Sequence, residues 1–189
     1  MRGRYIQIGI AASSDPHPLE EAVRKTRLFV KTLSKFKNVS LITGGGGGLM
    51  SVASEEAFKH GIPVIGVVPV EVENISEGHY RWNPYNTFVI RSGMTFPARS
   101  IPIVRSSDAF VVLGGGIGTM IEALLAYEHG VPVIVIDGTG YPSDNLRLLA
   151  KDGYFDHRRI VKVEFTSDPV EAATKAYQYA QAKRQGAYL

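Results

Sequence analysis

Residues 41–50 of this chain, Leu-Ile-Thr-Gly-Gly-Gly-Gly-Gly-Leu-Met, align without a gap with residues 111–120, Val-Val-Leu-Gly-Gly-Gly-Ile-Gly-Thr-Met. Each segment continues into a stretch of helical period that closes on His-Gly and then into an apolar run. These runs are His60-Gly61-Ile62-Pro63-Val64-Ile65 and His129-Gly130-Val131-Pro132-Val133-Ile134. A repeat of strand, glycine loop, helix and strand leaves few architectures open, because strands joined through a helix lie parallel and need helices to cover them. It is the skeleton of a nucleotide-binding fold built from two halves. Any α/β protein reuses turns of this kind, but a match carried through the same downstream punctuation argues for more than shared turns.

The remaining sequence fits that skeleton. Strands are expected at Tyr5–Ala11, Val39–Thr43, Pro63–Val68, Thr87–Ile90, Ala109–Leu113, Pro132–Asp137 and Ile160–Phe165. Helices are expected between and after them, at Leu19–Phe36, Leu49–His60, Ala98–Ser106, Thr119–His129, Asn145–Lys151 and Pro169–Gln185. The last has Asp168 as N-cap, Pro169 at its first position and Gly186 just beyond its end. The expected fold is therefore α/β: a doubly wound, Rossmann-like parallel sheet of about seven strands with helices on both faces. With 189 residues and no linker-like tract, residues 1–189 read as one domain.

Composition narrows the function classes. Hydrophobic residues at 44% and charged residues at 21% exclude a disordered chain or a fibre. The absence of cysteine excludes disulfides, thiolate nucleophiles and cysteine metal sites, and fits a reducing compartment. Apolar stretches such as Gly61–Val70 are too short to span a bilayer. The basic start Met1-Arg2-Gly3-Arg4 precedes only a strand-length apolar run, so no signal peptide is expected and the protein reads as cytoplasmic. The net charge of +3 is not gathered into a basic run, so neither a nucleic acid nor a membrane surface is an expected partner. A small anionic ligand is compatible with it.

A glycine run between a buried strand and a helix allows a sharp turn and leaves bare N–H groups where the helix dipole favours an anion. Tight strand–helix packing alone would also explain it. Two such loops at one sheet edge favour a ligand, and phosphate is the usual anion. The candidate binding residues are Gly44, Gly45, Gly46 and Gly47 in the first loop and Gly115, Gly116, Gly118 and Thr119 in the second. Ser13 and Ser14 follow the first strand, and Asp137 ends another at the same edge. Neither loop has the Lys-Ser/Thr of a P-loop, and Leu49 and Thr119 occupy the place of the third glycine of GxGxxG. A nicotinamide dinucleotide reading is therefore weak.

Glu122 has no counterpart in the first half, where Val52 aligns with it. It sits beside the second loop as a candidate catalytic carboxylate, yet Thr119-Met120-Ile121-Glu122 also reads as a capping box. Arg99 opens a short helix before the second loop and is a candidate partner, or else a solvated helix-start arginine. The five histidines show no metal-ligand spacing, and His60 and His129 read as helix C-terminal residues. There is no GxSxG from which a hydrolase triad could start. The stretch His79-Tyr80-Arg81-Trp82-Asn83-Pro84-Tyr85 suits either a packed loop or subunit contact, or a base-stacking lid.

Gly44-Gly45-Gly46-Gly47-Gly48-Leu49-Met50 resembles the GGGxxGLM loop, and Gly115 to Glu122 resembles the GGxGTxxE end of the PGGxGTxxE motif. Both belong to the LONELY GUY family of nucleoside 5′-monophosphate phosphoribohydrolases, long mislabelled lysine decarboxylases. Arg99, nine residues before Asp108, stands where that family places its catalytic arginine, and Ser13-Ser14 match its first-strand Ser-Ser. The resemblance runs from about Ile8 to Asp137. It implies cleavage of the N-glycosidic bond of an AMP-like nucleotide by Glu122 and Arg99, with Met94 among the binding residues. It also implies a homodimer with the site near the subunit interface, and neither cofactor nor metal. Three positions depart from the pattern: Gly114 replaces the proline, which should loosen the loop; Ile121 replaces a frequent glutamate; Ser100 replaces the lysine after the catalytic arginine. Chains lacking that Arg-Lys pair also resemble the molybdenum-cofactor carrier proteins, which hold a phosphorylated pterin. The alternative function is thus a non-catalytic carrier or sensor of molybdopterin or an ADP-ribose-type ligand.

Overall fold

The structure is a computed structural model and describes residues 5–75, 77–79 and 81–186. The basic start Met1–Arg4 and Tyr80 of the aromatic stretch lie outside the described residues. The first half runs β1 (Ile6–Ala11), α1 (Glu20–Leu33), β2 (Val39–Thr43), α2 (Leu49–Lys59) and β3 (Val64–Val68). After a long connection come β4 (Phe88–Arg91), α3 (Ser100–Arg105), β5 (Ala109–Val112), α4 (Ile117–Glu128) and β6 (Val133–Ile136). The chain closes with α5 (Leu146–Leu149), β7 (Val163–Thr166) and α6 (Pro169–Arg184). All strand pairs are parallel, in the order β4-β3-β2-β1-β5-β6-β7. This is the doubly wound Rossmann-like sheet expected from the repeat.

Alternation along the strands decides which side chain meets which layer. Ile6, Ile8 and Ile10 of β1 point to the layer of α1, α2 and α6, where they meet Phe29, Leu33, Leu49, Ala53, Ala172 and Ala176. Ala11, Phe110, Val112, Val133 and Val135 point the other way, onto Ile103 and Val104 of α3 and Ala123, Ala126 and Tyr127 of α4. Because both faces are covered, β1, β2, β5 and β6 read as nearly unbroken apolar runs. β4 is the exception: an edge strand whose four residues are all exposed.

The repeated His-Gly punctuation has one physical form in both halves. His60 and His129 are the C-caps of α2 and α4, and Gly61 (φ 69°) and Gly130 (φ 65°) take the left-handed conformation that follows. In the first copy the Gly61 N–H donates to the Phe58 carbonyl at 3.2 Å and the Ile62 N–H to the Ala57 carbonyl at 2.9 Å. In the second the Gly130 N–H reaches Tyr127 at 3.0 Å and the Val131 N–H reaches Ala126 at 2.9 Å. These are two Schellman closures, each capping otherwise orphaned carbonyls.

Several boundaries differ from the sequence expectation. α1 stops at Leu33 rather than Phe36, where the Ser34 hydroxyl turns back onto the Lys31 carbonyl. Phe36 still packs, stacked on Tyr177 of α6 at 4.3 Å. The helix expected over Asn145–Lys151 is a 3-10 turn at Pro142–Asn145 followed by the single turn of α5. β7 begins at Val163 rather than Ile160. α4 begins at Ile117, two residues before Thr119. The last helix matches its signals, with the Asp168 carboxylate accepting the Val170 N–H at 2.8 Å and Pro169 at the first position.

Gly61 isolates the cost of the left-handed cap, because an added Cβ there would meet no atom within 4 Å. Gly61→Ala is expected to destabilise the protein by about 1–2 kcal/mol through backbone strain alone, read from urea unfolding. A stability equal to wild type would show that the cap does not depend on glycine.

Candidate functional site

β1 is flanked by β2 on one side and β5 on the other, and the crossover direction changes there, so loops leaving these three strands open a crevice at their C-terminal edge. The backbone of Ser13, just past β1, ties the crevice together. Its N–H donates to the Gly114 carbonyl in the second glycine loop at 2.8 Å, and its carbonyl accepts the Leu49 N–H of the first at 2.9 Å. Both loops lead into helices without a side-chain cap, Gly48 preceding α2 and Gly116 preceding α4. The first-turn amides of such helices have no intrahelical acceptor and carry the positive end of the dipole.

Gly114 does not loosen its loop. Its φ of 118° is closed to proline, whose ring holds φ near −65°, and a Cβ added there would press on Tyr141 and Thr139. The next residue is held as firmly: the Gly115 N–H donates to Ser143 Oγ at 3.0 Å, and the Ser143 N–H donates back to the Gly115 carbonyl at 2.9 Å. Glycine here is what the local backbone requires.

Arg99 and Glu122 meet in the crevice. Arg99 is the residue before α3 and is only 7% exposed, so it is not a solvated helix-start arginine. Glu122, 8% exposed, lies in the second turn of α4 and does not close a capping box, because the helix starts ahead of Thr119 and that residue cannot be its N-cap. The carboxylate turns instead toward α3. Ser100 Oγ donates to Glu122 Oε1 at 3.0 Å, and Arg99 Nη1 lies 3.7 Å from the same oxygen.

Burial pushes the Glu122 carboxyl above the usual carboxylate range, opposed by the Arg99 charge and the Ser100 hydroxyl. Burial also lowers Arg99, opposed by Glu122 and by Glu71 nearby, and an arginine so placed stays protonated. Two buried guanidinium nitrogens, Nε and Nη1, make no hydrogen bond among the described residues. The guanidinium rests on Gly44, where any Cβ would clash with it, and its Cζ lies 5.9 Å from the Phe96 ring centroid.

Two adjoining cavities open around the pair. One of about 330 Å³ is lined by Ser13, Ser14, Gly116, Gly118, Thr119, Glu122, Ser100 and Arg99. The other, about 250 Å³, is lined by Ser14, Gly44, Gly46, Gly47, Arg81, Phe96 and Arg99. The structure thus brings together most of the residues singled out from sequence. Gly45 and Gly115 line neither cavity, and the Gly45 carbonyl accepts Asn86 Nδ2 at 3.0 Å. Met94 is not brought in: it is exposed, lines neither cavity, and its carbonyl instead accepts the Val70 N–H.

Sequence reasoning missed Phe96, and it gave no role to the Ser100 hydroxyl, visible only as a missing lysine. Arg81 was noted only as part of an aromatic stretch, most of which serves to anchor a loop. Within it Asn83 is buried and bonded to Ser54 and Asn86, and Trp82 lines a separate cavity. Among the described residues, no three His, Asp or Glu side chains are grouped to hold a metal ion, and no helix is long and apolar enough to cross a membrane.

The chain belongs to the SLOG cluster4 family, whose pattern it matches over residues 6–171. It is 29% identical over 141 residues to an uncharacterized protein of Archaeoglobus fulgidus, covering 71% of this chain and 86% of that one. It is 29% identical over 129 residues to the cytokinin riboside 5′-monophosphate phosphoribohydrolase LOG1 of Arabidopsis thaliana, covering 61% of this chain and 55% of the enzyme. The chain thus spans about half the length of the curated phosphoribohydrolases it matches. Among solved structures, the structural-genomics target TM1055 superposes with a TM-score of 0.78 at 30% identity, over 93% of this chain and 99% of that one. The molybdenum cofactor carrier protein of Chlamydomonas reinhardtii superposes with a TM-score of 0.70 at 25% identity, over 95% and 99%.

Because the Ser100 hydroxyl stabilises the ionised carboxylate, Ser100→Ala is expected to move the Glu122 titration further upward. Carbon-13 NMR of the labelled carboxyl would read the shift, and an unchanged or lowered titration would contradict the hydrogen bond.

Proposed function

We propose that this member of the SLOG cluster4 family is a nucleoside 5′-monophosphate phosphoribohydrolase. Water and an AMP-like nucleotide would give the free base and ribose 5-phosphate. The observation that carries this reading is the buried Arg99–Glu122 pair, set in one crevice between two helix N-termini that lack side-chain caps. The phosphate would rest on the amides from Gly115 to Thr119, helped by Ser13 and Ser14, with the first glycine loop lining the far side of the same nucleotide. With its 5′ end fixed there, the nucleotide would lie with its sugar over the floor of the 330 Å³ cavity, where Glu122 and Arg99 stand.

Hydrolysis of an N-glycosidic bond develops positive charge on the sugar and negative charge on the leaving base. The Glu122 carboxylate would take a proton from the attacking water or offset the oxocarbenium-like charge. The Arg99 guanidinium would orient the ribose or offset charge near the base. Ionised Glu122 is the working form in this scheme. Because burial raises its pKa, base release should increase with pH through a value above the ordinary carboxylate range.

The curated relatives that carry this activity in their names support the reading at about 30% identity. We further propose that the enzyme is cytoplasmic and forms a homodimer. Ile117, Ile121 and Leu124 make an exposed apolar stripe on α4 beside exposed Ile101 of α3, and Ile121 also lines the cavity. A second copy seated there would help close the site.

Ser100 supports a second reading. Where a lysine would add a cation, this chain places a neutral hydroxyl already bonded to Glu122. That suits a non-catalytic carrier or sensor of a phosphorylated ligand, such as a molybdenum cofactor or an ADP-ribose-type molecule.

The test is incubation of the purified protein with a panel of nucleoside 5′-monophosphates, with free base measured by chromatography. Glu122→Gln is expected to slow base release about 10²-fold or more while nucleotide affinity changes little. Release at the wild-type rate in that variant would reduce Glu122 to a structural residue. No release from any nucleotide, with an intact phosphorylated ligand retained through purification, would favour the carrier.

A further inference from the structure

We infer that the crevice holds two separate anion subsites, and that its preferred ligand is a nucleotide bearing a second anionic group across the sugar from its 5′-phosphate. The inference rests on the nucleotide reading above and extends it to ligand class. The first subsite is the α4 terminus. The second is the 250 Å³ cavity, where Gly44, Gly46 and Gly47 lead into α2, which has no side-chain cap and whose first amide alone, the Leu49 N–H, is held by the Ser13 carbonyl.

A bare helix start would not define a site, but two arginines converge on this one. The Arg99 guanidinium lies against Gly44, is more than nine-tenths buried, and leaves Nε and Nη1 without a hydrogen-bond acceptor among the described residues. A buried donor pair of that kind is costly unless something accepts from it, and an anion supplies the strongest acceptor. Arg81 reaches the same cavity from the 79–85 stretch, its Cζ 5.3 Å from the Phe96 ring centroid while the Arg99 Cζ lies 5.9 Å from that centroid. Phe96 therefore positions both guanidinium groups at the wall of one cavity. The carboxylate beside them, Glu71, already accepts the Phe96 N–H at 3.2 Å.

The fold sets the distance between the subsites. The two glycine loops leave β2 and β5, which lie on either side of β1, so they stand two strand spacings apart, about 10 Å. Directly bonded phosphoryl groups of a diphosphate are much closer together than that. Groups attached at opposite sides of a ribose, as in a nucleoside 3′,5′-bisphosphate, suit the separation better. The cavities adjoin along Ser14, Met50, Phe96 and Arg99, leaving a continuous path for the sugar between them.

Isothermal titration calorimetry of the wild-type protein with AMP, ADP and adenosine 3′,5′-bisphosphate tests this, each nucleotide being checked for integrity by chromatography afterwards. The bisphosphate is expected to bind at least about tenfold more tightly than AMP, with ADP gaining less; tenfold corresponds to about 1.4 kcal/mol. Arg81→Gln, which leaves the α4 subsite untouched, should erase the bisphosphate advantage and keep the AMP affinity. A bisphosphate no tighter than AMP would overturn the second subsite. An ADP tighter than the bisphosphate would overturn the spacing, and equal weakening of AMP and bisphosphate by Arg81→Gln would overturn the role of Arg81. These results are read from binding, so a lack of base release would count against the hydrolase alone.

Discussion

The backbone of Ser13 is the clasp on which this crevice depends. Two residues beyond the end of β1, its N–H holds one glycine loop and its carbonyl holds the other. Both bonds are made by peptide groups that would otherwise be orphaned where β1 ends, so satisfying β1 and aligning the two loops are the same event. The loops in turn decide where α2 and α4 begin, and hence where the first-turn amides that lack side-chain caps point. Substitution at Ser13 can change the hydroxyl, but only a shift of the strand would break the clasp.

Around that clasp the protein accepts a costly arrangement. An arginine and a glutamate are taken out of water 3.7 Å apart, with the pair's geometry completed only by the Ser100 hydroxyl. Buried ion pairs of this kind contribute little net stability, since desolvation offsets most of the attraction. Their position at the topological switch point, with donors left over on the guanidinium, fits use on a ligand better than use in folding. The same reasoning applies to the starts of α2 and α4, which forgo a side-chain cap at the edge where a phosphorylated molecule would sit.

Much of this was written in the sequence as a repeat. Two copies of one punctuation, ending in His60-Gly61 and His129-Gly130, carried the parallel sheet, the helix on each unit and even the form of the helix closures. Arg99 and Glu122 were recognisable as candidate partners, but how they meet was not, because the 22 positions between them in the chain say nothing about the turn of α3 onto α4. The capping-box spacing at Thr119 to Glu122 misled for a local reason: the helix already starts at Ile117, with Gly116 as its N-cap, so Thr119 lies inside it. Met94 was singled out by resemblance and lies outside the crevice, its carbonyl committed to Val70. Phe96 and Arg81 left no signature, since an aromatic ring between two guanidiniums comes from chain segments with no common pattern.

The central claim is that the two glycine loops and the Arg99–Glu122 pair form one nucleotide site. A crystal structure of the protein with AMP bound tests it most directly. The account predicts the phosphate on the first-turn amides of α4 and the anomeric carbon of the ribose facing the Glu122 carboxylate. A nucleotide bound away from both glycine loops, or one whose sugar turns its back on Glu122, would contradict it.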